Sequence, residues 1–337
     1  MERFNPNSPL ELIFDYVRIR FPTTDVRYVV EQILRLKLFY FLHEDYGFYS
    51  YSEHYALGDI FVLCSQELNK GILVELKGRG CRQFEAYLLA QERSWYEFFM
   101  DALSAGGVMK RLDLAINDRT GILNIPLLTE KCRQEECISV FRSFKSYRSG
   151  ELVRKDEKEC MGNTLYIGSL QSEVYFCIYE KDYEQYKKNH IPISEAEVKN
   201  RFEIRLKNER AYYAVRDLLV FDNPEQTAFK IINRYIRFVD RDDNRPRCDW
   251  KLNDEWAWFI GNHRERLKLT TKPEPYTYER TLNWLARQVA PTLKVALKLD
   301  EINQTQTVNT LLEHAKLTDK HRQILKQQSA NIKDVIV

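Results

Sequence analysis

The chain has 337 residues, 44% of them apolar and 30% charged, with 12 Gly and 10 Pro; this excludes collagenous, low-complexity and disordered classes and allows about two domains. No apolar run reaches membrane-spanning length and the opening MERFNPNSPLE has no apolar signal core. The seven cysteines are odd in number and form no CxxC pair, so the expectation is a cytoplasmic protein with reduced thiols and no membrane contact. The net charge of +2 excludes nothing, but residues 1–200 hold 26 basic and 30 acidic groups (−4) and 201–337 hold 25 and 19 (+6).

In chain order, LIFDYVRIRF (12–21) alternates with period two and predicts a strand, followed by a helix from about Thr24 to Phe41. GDIFVLCS (58–65) and GILVELKG (71–78) flank an NKG turn and predict a hairpin. Residues 81–105 read as helix, VMKRLDLAIND (108–118) as strand, and 126–138 as helix. NTLYIGS (163–169) and EVYFCIYEK (173–181) predict a second hairpin, and RFEIRLK (201–207) another strand. Residues 209–239 and almost everything after Asp254 read as helix, with a charged, Pro246-bearing linker at 240–249. The expected fold is α+β, with an antiparallel or mixed sheet. Its two parts are a body at 1–240 and a helical, more basic region at 250–337.

Three acids sit in mid-strand, where propensity disfavours them: Glu75, Asp113 and Glu203. Alternation puts Asp113 on one face with Arg111, and Glu203 on one face with Arg201 and Arg205. A solvated face laced with ion pairs explains one such strand. If three converge, they form a hard oxygen site suited to Mg2+ or Mn2+. The six histidines (43, 54, 190, 263, 314, 321) include no HxH pair, and there is no P-loop, GxGxxG or GxSxG.

Tyr179 ends an apolar strand, with Lys181 two residues on. A phenol with pKa near 10 needs an in-line position and a place for its proton to attack a phosphodiester, and a cation nearby favours the phenolate. Tyr166, Tyr175, Tyr183 and Tyr186 compete from the same segment.

KRLDLAIND, NTLYIGSLQSE with FCIYEKDYE, and RFEIRLK, in that order, resemble the replication initiation factor (Rep-trans) family, from about Leu12 to Leu219. That family comprises rolling-circle plasmid initiators and the MobT-type relaxases of integrative and conjugative elements. The resemblance implies a relaxase-like sheet domain, similar to the HUH nucleases but without the histidine pair. It also implies that Tyr179 nicks DNA and becomes linked to the 5′-phosphate, with Glu75, Asp113 and Glu203 as ligands of Mg2+ or Mn2+. Lys181, Arg111 and Arg205 join the catalytic set and Arg201 is a phosphate clamp. Two departures stand out: Leu170 replaces the arginine of the YxGSR segment, and the chain enters its first strand with no preceding helix-turn-helix.

The C-terminal segment looks more like the conjugative branch. The expected function is therefore a site- and strand-specific nickase at an origin of transfer, acting on single-stranded and duplex DNA beside an accessory protein, a helicase and a coupling protein. The alternatives are a plasmid replication initiator and a non-catalytic DNA-binding regulator. Duplex contacts are expected from Arg264, Arg266, Lys268 and Lys272, beside Trp256 and Trp258.

Overall fold

Alternation of apolar and polar residues does build the strands. The computed structural model describes residues 8–337 except 68, 151–159, 190, 262–268, 270, 272, 275–281 and 283–284. Its strands are β1 (Leu10–Phe21), β2 (Leu42–Glu44), β3 (Glu53–Leu57), β4 (Ile60–Cys64), β5 (Ile72–Lys77), β6 (Val108–Asp118), β7 (Cys137–Ser139), β8 (Phe144–Gly150), β9 (Cys160–Ile167), β10 (Val174–Glu180), β11 (Asn200–Lys207) and β12 (Ile236–Phe238). Ten of them form one sheet in the order β2-β3-β4-β5-β1-β6-β11-β10-β9-β8, and every pairing in it is antiparallel. β7 and β12 pair separately.

One face of this sheet is apolar and covered. Leu112, Leu114 and Ile116 of β6 and Phe202, Ile204 and Leu206 of β11 point into the core. Against it lie α1 (Arg79–Ala90), α2 (Trp95–Ser104), α3 (Ile125–Arg133), α5 (Asn208–Phe221), α6 (Pro224–Tyr235) and α7 (Asp254–Phe259). Phe14, Trp95 and Phe99 interlock at one end and Phe202, Trp256 and Phe259 at the other. Each buried aromatic contributes roughly 1.5–3 kcal/mol. α4 (Lys181–Asn189) continues directly from β10 and stands on the opposite, open face, where residues from β1, β5, β6, β10 and β11 line a cleft of about 1380 Å³.

Four predicted helices are interrupted, each for a local reason. Residues 24–41 hold only short turns at Tyr28–Ile33 and Leu38–Tyr40. Between them Arg35 takes φ 53° and Leu36 bridges to Ile336, so the backbone there serves the C-terminus instead of a helix. Residues 81–105 split because Glu92 adopts φ 52° and Ser94 with Glu97 forms a capping box that restarts the helix. The stretch 126–138 stops at Glu135, φ 62°, and then gives β7. The stretch 209–239 breaks where Asp222, φ 43°, ends α5 and Asn223-Pro224 starts α6. β2, β3 and β8 were not predicted, and β7 and β12 lie at the ends of stretches read as helix.

Segment 240–250 is tied down: Trp250 Nε1 donates to the Asp242 and Arg245 carbonyls, and Arg247 donates to the Glu135 and Cys137 carbonyls. Beyond α7 the described α-helices are α8 (Ala290–Asn303), α9 (Thr307–His314), α10 (Asp319–Ser329) and α11 (Ile332–Val335). α11 returns to the body, burying Val335, while the Lys37 amide donates to the Val335 carbonyl at 2.8 Å. No described helix is long and apolar enough to cross a membrane.

Candidate active site

Strand register arranges the open face in rows of neighbouring side chains. One row runs Phe61, Glu75, Arg18, Arg111, Lys207, and the next runs Lys77, Tyr16, Asp113, Arg205, Tyr175. The third is Ile13, Ala115, Glu203, Cys177, Tyr166, and the fourth Glu11, Asn117, Arg201, Tyr179, Thr164. The mid-strand acids therefore all face the cleft, with Asp113 beside Arg111 and Glu203 beside Arg201 and Arg205 on their strands as alternation predicted.

Tyr179 is the centre of the fourth row. Its hydroxyl donates to Glu203 Oε1 at 2.8 Å, and Lys181 Nζ lies 3.4 Å from the same phenol oxygen. Lys181 is held by Glu184 of α4, which Lys188 also contacts. The other oxygen of Glu203 is paired with Arg205, Nη2 at 2.6 Å and Nε at 2.8 Å. Arg205 Nε lies 3.8 Å from Asp113 Oδ2, and Arg111 grips Asp113 with both arms of its fork, at 2.9 and 2.7 Å. A diagonal chain of alternating charge thus crosses three strands and ends on the tyrosine.

Beside Tyr179 in this row lies Arg201, only 8% exposed. It donates to Asn117 Oδ1 at 2.7 Å and to Asp15 Oδ1 at 2.9 Å. Asp15 occupies a β-bulge, because the register of β1 against β6 shifts between Phe14 and Tyr16. An extra residue there turns Asp15 towards the cleft, whereas simple alternation assigns it to the apolar side with Val17 and Ile19. The sequence reading missed Asp15. The signal was present: one acid in phase with the buried residues of LIFDYVRIRF.

Burial dominates the protonation of this cluster. It drives the Tyr179 phenol well above its ordinary value; Arg201 works the other way, and Glu203, Glu184 and Asp15 add to the rise. Burial also lowers the Lys181 ammonium, with Arg201 reinforcing it. Burial would raise Glu184, but Lys181 and Lys188 outweigh it and bring the carboxyl down to about 2. Asp113, 2% exposed, is pushed up to about 6 by burial against the opposing pull of Arg111. Asp15, which burial would raise, is held below its ordinary value by Arg201, Lys181 and Arg82.

The resting phenol is therefore protonated and has one carboxylate as hydrogen-bond acceptor. Of the competing tyrosines, Tyr166 lies in the third row with its phenol pushed up to about 12 by burial, and Tyr175 accepts from Arg205 Nη1 at 3.4 Å. Tyr183 lines the cleft from α4 and Tyr186 is exposed.

The three carboxylates named as metal ligands do not converge. Glu75 is two rows and three strand spacings, about 14 Å sideways, from Glu203. It accepts from Tyr16 at 2.6 Å and from Arg18 Nε at 2.8 Å. Asp113 and Glu203 are diagonal neighbours, yet all four of their oxygens are engaged, three by the guanidinium groups of Arg111 and Arg205 and one by the Tyr179 hydroxyl. Among the described residues no group of three or more Asp, Glu, His or Cys is arranged to hold a metal ion. As arranged, these acids do not fit a resident divalent ion.

Arg111, Arg205, Arg201 and Lys181, named as catalytic or phosphate contacts, are all in the cleft, each paired with an acid. Arg264, Arg266, Lys268 and Lys272 lie outside the described residues. Trp256 is buried in the core and Trp258 packs against it, so neither ring forms an exposed stacking platform.

The site is an open antiparallel face that carries a strand-end tyrosine, a carboxylate acceptor and a surround of arginines. The chain belongs to the replication initiation factor family, whose model matches residues 107–312. A second model, the rolling-circle replication initiation protein N-terminal domain, matches residues 11–101.

The chain is 41% identical over 331 residues, 98% of its own length and 93% of the relative's, to a Bacillus subtilis (strain 168) protein described as "Putative DNA relaxase NicK". It is also similar to the solved structure of a rolling-circle replication initiator protein from Geobacillus stearothermophilus. That match has a TM-score of 0.65 and 25% identity, over 78% of this chain and 99% of that one.

Proposed function

We propose that this protein is a DNA relaxase that nicks one strand at an origin of transfer through Tyr179. The observation that carries the reading is the hydrogen bond from the Tyr179 hydroxyl to Glu203 in a cleft rich in arginine. As the phenol oxygen bonds to the scissile phosphorus, its proton passes to Glu203, the acceptor already in place. The bond from phosphorus to the 3′-oxygen breaks, and that oxygen leaves as a 3′-hydroxyl after taking up a proton. Lys181, whose ammonium burial makes easier to deprotonate, is a donor 3.4 Å from the phenol oxygen and supplies that proton.

Arg201 and Arg205 stabilise the charge that develops on the non-bridging oxygens. The 5′-phosphotyrosine keeps the energy of the broken bond, so the 3′-hydroxyl reseals the strand by the reverse steps without nucleotide hydrolysis. Mg2+ or Mn2+, implied by the family resemblance, has no part in these steps, because the carboxylates named for it are engaged elsewhere.

The likeness in fold to a rolling-circle initiator favours one other reading, in which the same chemistry opens a replication origin. The relative described as a relaxase matches almost the whole chain and weighs towards transfer. The accessory protein, helicase and coupling protein expected from the sequence follow from the transfer reading. End-labelled origin DNA, incubated with the protein and run on a denaturing gel, tests the proposal. A protein-linked 5′ product that vanishes in Tyr179→Phe supports it. A free 5′ product points to hydrolysis, and no cleavage at all points to a regulator.

A further inference from the structure

The segment KGRGCRQ (77–83) plays no part in the chemistry above, yet it opens onto the same cleft. β5 ends at Lys77, and the chain turns at Gly78, φ 52° and ψ −102°, directly into α1. The Gly78 amide donates to the Asp15 carbonyl at 2.7 Å, fixing the turn beside the bulge whose side chain holds Arg201, the cross-strand neighbour of Tyr179. A Cβ on Gly78 would meet nothing within 4 Å, so that side of the turn is open. A Cβ on Gly80 would lie 2.3 Å from the Asp59 carbonyl oxygen, so the first turn of the helix is pressed against the neighbouring chain and admits only glycine there. No side chain caps the N-terminus of this twelve-residue helix. The Cys81 and Arg82 amides turn back to the Gly78 carbonyl, and because Gly78, Arg79 and Arg82 line the cleft the positive end of the helix dipole lies at its wall.

A second, independent observation is Arg82, in the first turns of the same helix. It lines the cleft although only 7% exposed. Its Nη2 is used twice, donating to the Phe14 carbonyl at 2.5 Å and pairing with Glu85 at 2.8 Å. Nε and Nη1 are buried with no partner. A guanidinium with two unsatisfied donors is costly to bury unless something binds it, and helical side chains lean towards the N-terminus. Lys77 and Arg79, both exposed, line the cleft on either side of Gly78. Of the acids nearby, Asp15 is committed to Arg201, and Glu85 to Arg82 and to Trp95, while Asp59 and Glu274 also line this end of the cleft.

We propose that the N-terminal turn of α1, with Arg82, Lys77 and Arg79, is a phosphodiester-binding subsite. It would hold a backbone phosphate of the substrate strand next to the one attacked by Tyr179. The inference rests on the reading of the cleft as a single-stranded DNA site and adds to it a second anchor that fixes where the strand lies relative to the nucleophile. An anchor on both sides of the reacting bond is what in-line attack requires.

The test uses the full chain and fluorescein-labelled (dT)15, with binding followed by anisotropy over a sodium chloride series. Removing one cation from a phosphate of a single strand flattens the slope of log K against log salt by about 0.7. Arg82→Gln should weaken binding and flatten the slope by about that amount; the exposed pair Lys77→Ala with Arg79→Ala should do so by about twice as much. Near-UV circular dichroism checks Arg82→Gln, and if its core signal is lost the exposed pair decides. Unchanged affinity and slope in a folded variant set overturns the subsite. Adduct formation assayed on the same preparations separates the two claims. A wild type that forms the Tyr179 adduct while the slopes stay fixed loses the subsite alone, whereas a wild type that neither forms the adduct nor binds (dT)15 loses both.

Discussion

The open face carries two tyrosine–glutamate–arginine groups built from the same parts. At one end Tyr179 donates to Glu203, which pairs with Arg205; at the other Tyr16 donates to Glu75, which pairs with Arg18. Both phenols are driven well above their ordinary value, first by burial. The difference lies in what surrounds each oxygen. Glu203 uses separate oxygens for the phenol and the guanidinium, and Tyr179 has Lys181 within 3.4 Å and Arg201 as its cross-strand neighbour. Glu75 takes Tyr16 and Arg18 on the same oxygen, while Arg111 lies 4.0 Å over the Tyr16 ring and Arg18 4.1 Å over Tyr49. Tyr179 has Lys181 and Arg201 as neighbours in the cleft, whereas Tyr16 has Arg111 stacked on its ring and Arg18 bound to its hydroxyl. A hydrogen-bonded tyrosine is therefore insufficient to mark a nucleophile.

The sharpest break between the groups is removal of each hydroxyl. Tyr179→Phe should abolish the covalent adduct, a loss of at least about a thousandfold, since the nucleophile itself is gone. Adduct surviving in that variant would move the chemistry to another tyrosine. Next in size, Glu203→Gln keeps the shape but not the basicity of the acceptor, and single-turnover nicking should fall by roughly 10²–10⁴-fold. The same change at Glu75 should leave the rate within a few fold. Equal losses at the two positions would mean that both groups serve the reaction.

The acids of β5, β6 and β11 were legible because a charged residue inside an alternating strand has to face away from the core, and register then carried them to one face. Their partners were not. Whether Asp113 meets a cation or an ion depends on which residue the neighbouring strand sets opposite it, and that is fixed by pairing β6 with β11 and β1, elements far apart in sequence. Asp15 was hidden because a bulge breaks the alternation used to read it. The split helices were hidden because residues such as Asp222 and Glu135 reverse the chain by adopting positive φ, which no apolar period records. Lys77 to Gln83 read as the end of a strand and the start of a helix. Its meaning lies in the direction that helix points.

A smaller effect concerns the link between the two groups. Asp113 is raised to about 6 in the folded chain, above the roughly 3.9 of an unfolded aspartate, so the folded state holds its proton more tightly. The stability this contributes is fully present below about pH 4 and is lost as pH rises through 6. That amounts to about 2 kcal/mol between pH 4 and 7. Asp113→Asn titrates nothing there. In urea melts in EDTA, wild type should therefore lose about that much relative to the variant over this range, and a constant difference would contradict the burial argument.

The smallest effect is expected at Tyr16. Tyr16→Phe removes one hydrogen bond to a partly buried carboxylate that retains Arg18, so the loss in stability should be about 0.5–1.5 kcal/mol. The ring remains, and with it the stacking of Arg111, so Arg111 keeps its grip on Asp113 and the chain of charge towards Glu203 stays in place. Adduct formation by Tyr16→Phe should thus match wild type while its urea midpoint falls slightly. A large loss of adduct with an unchanged midpoint would show that the second phenol touches DNA, and the contrast between the two groups would then be one of position along the strand.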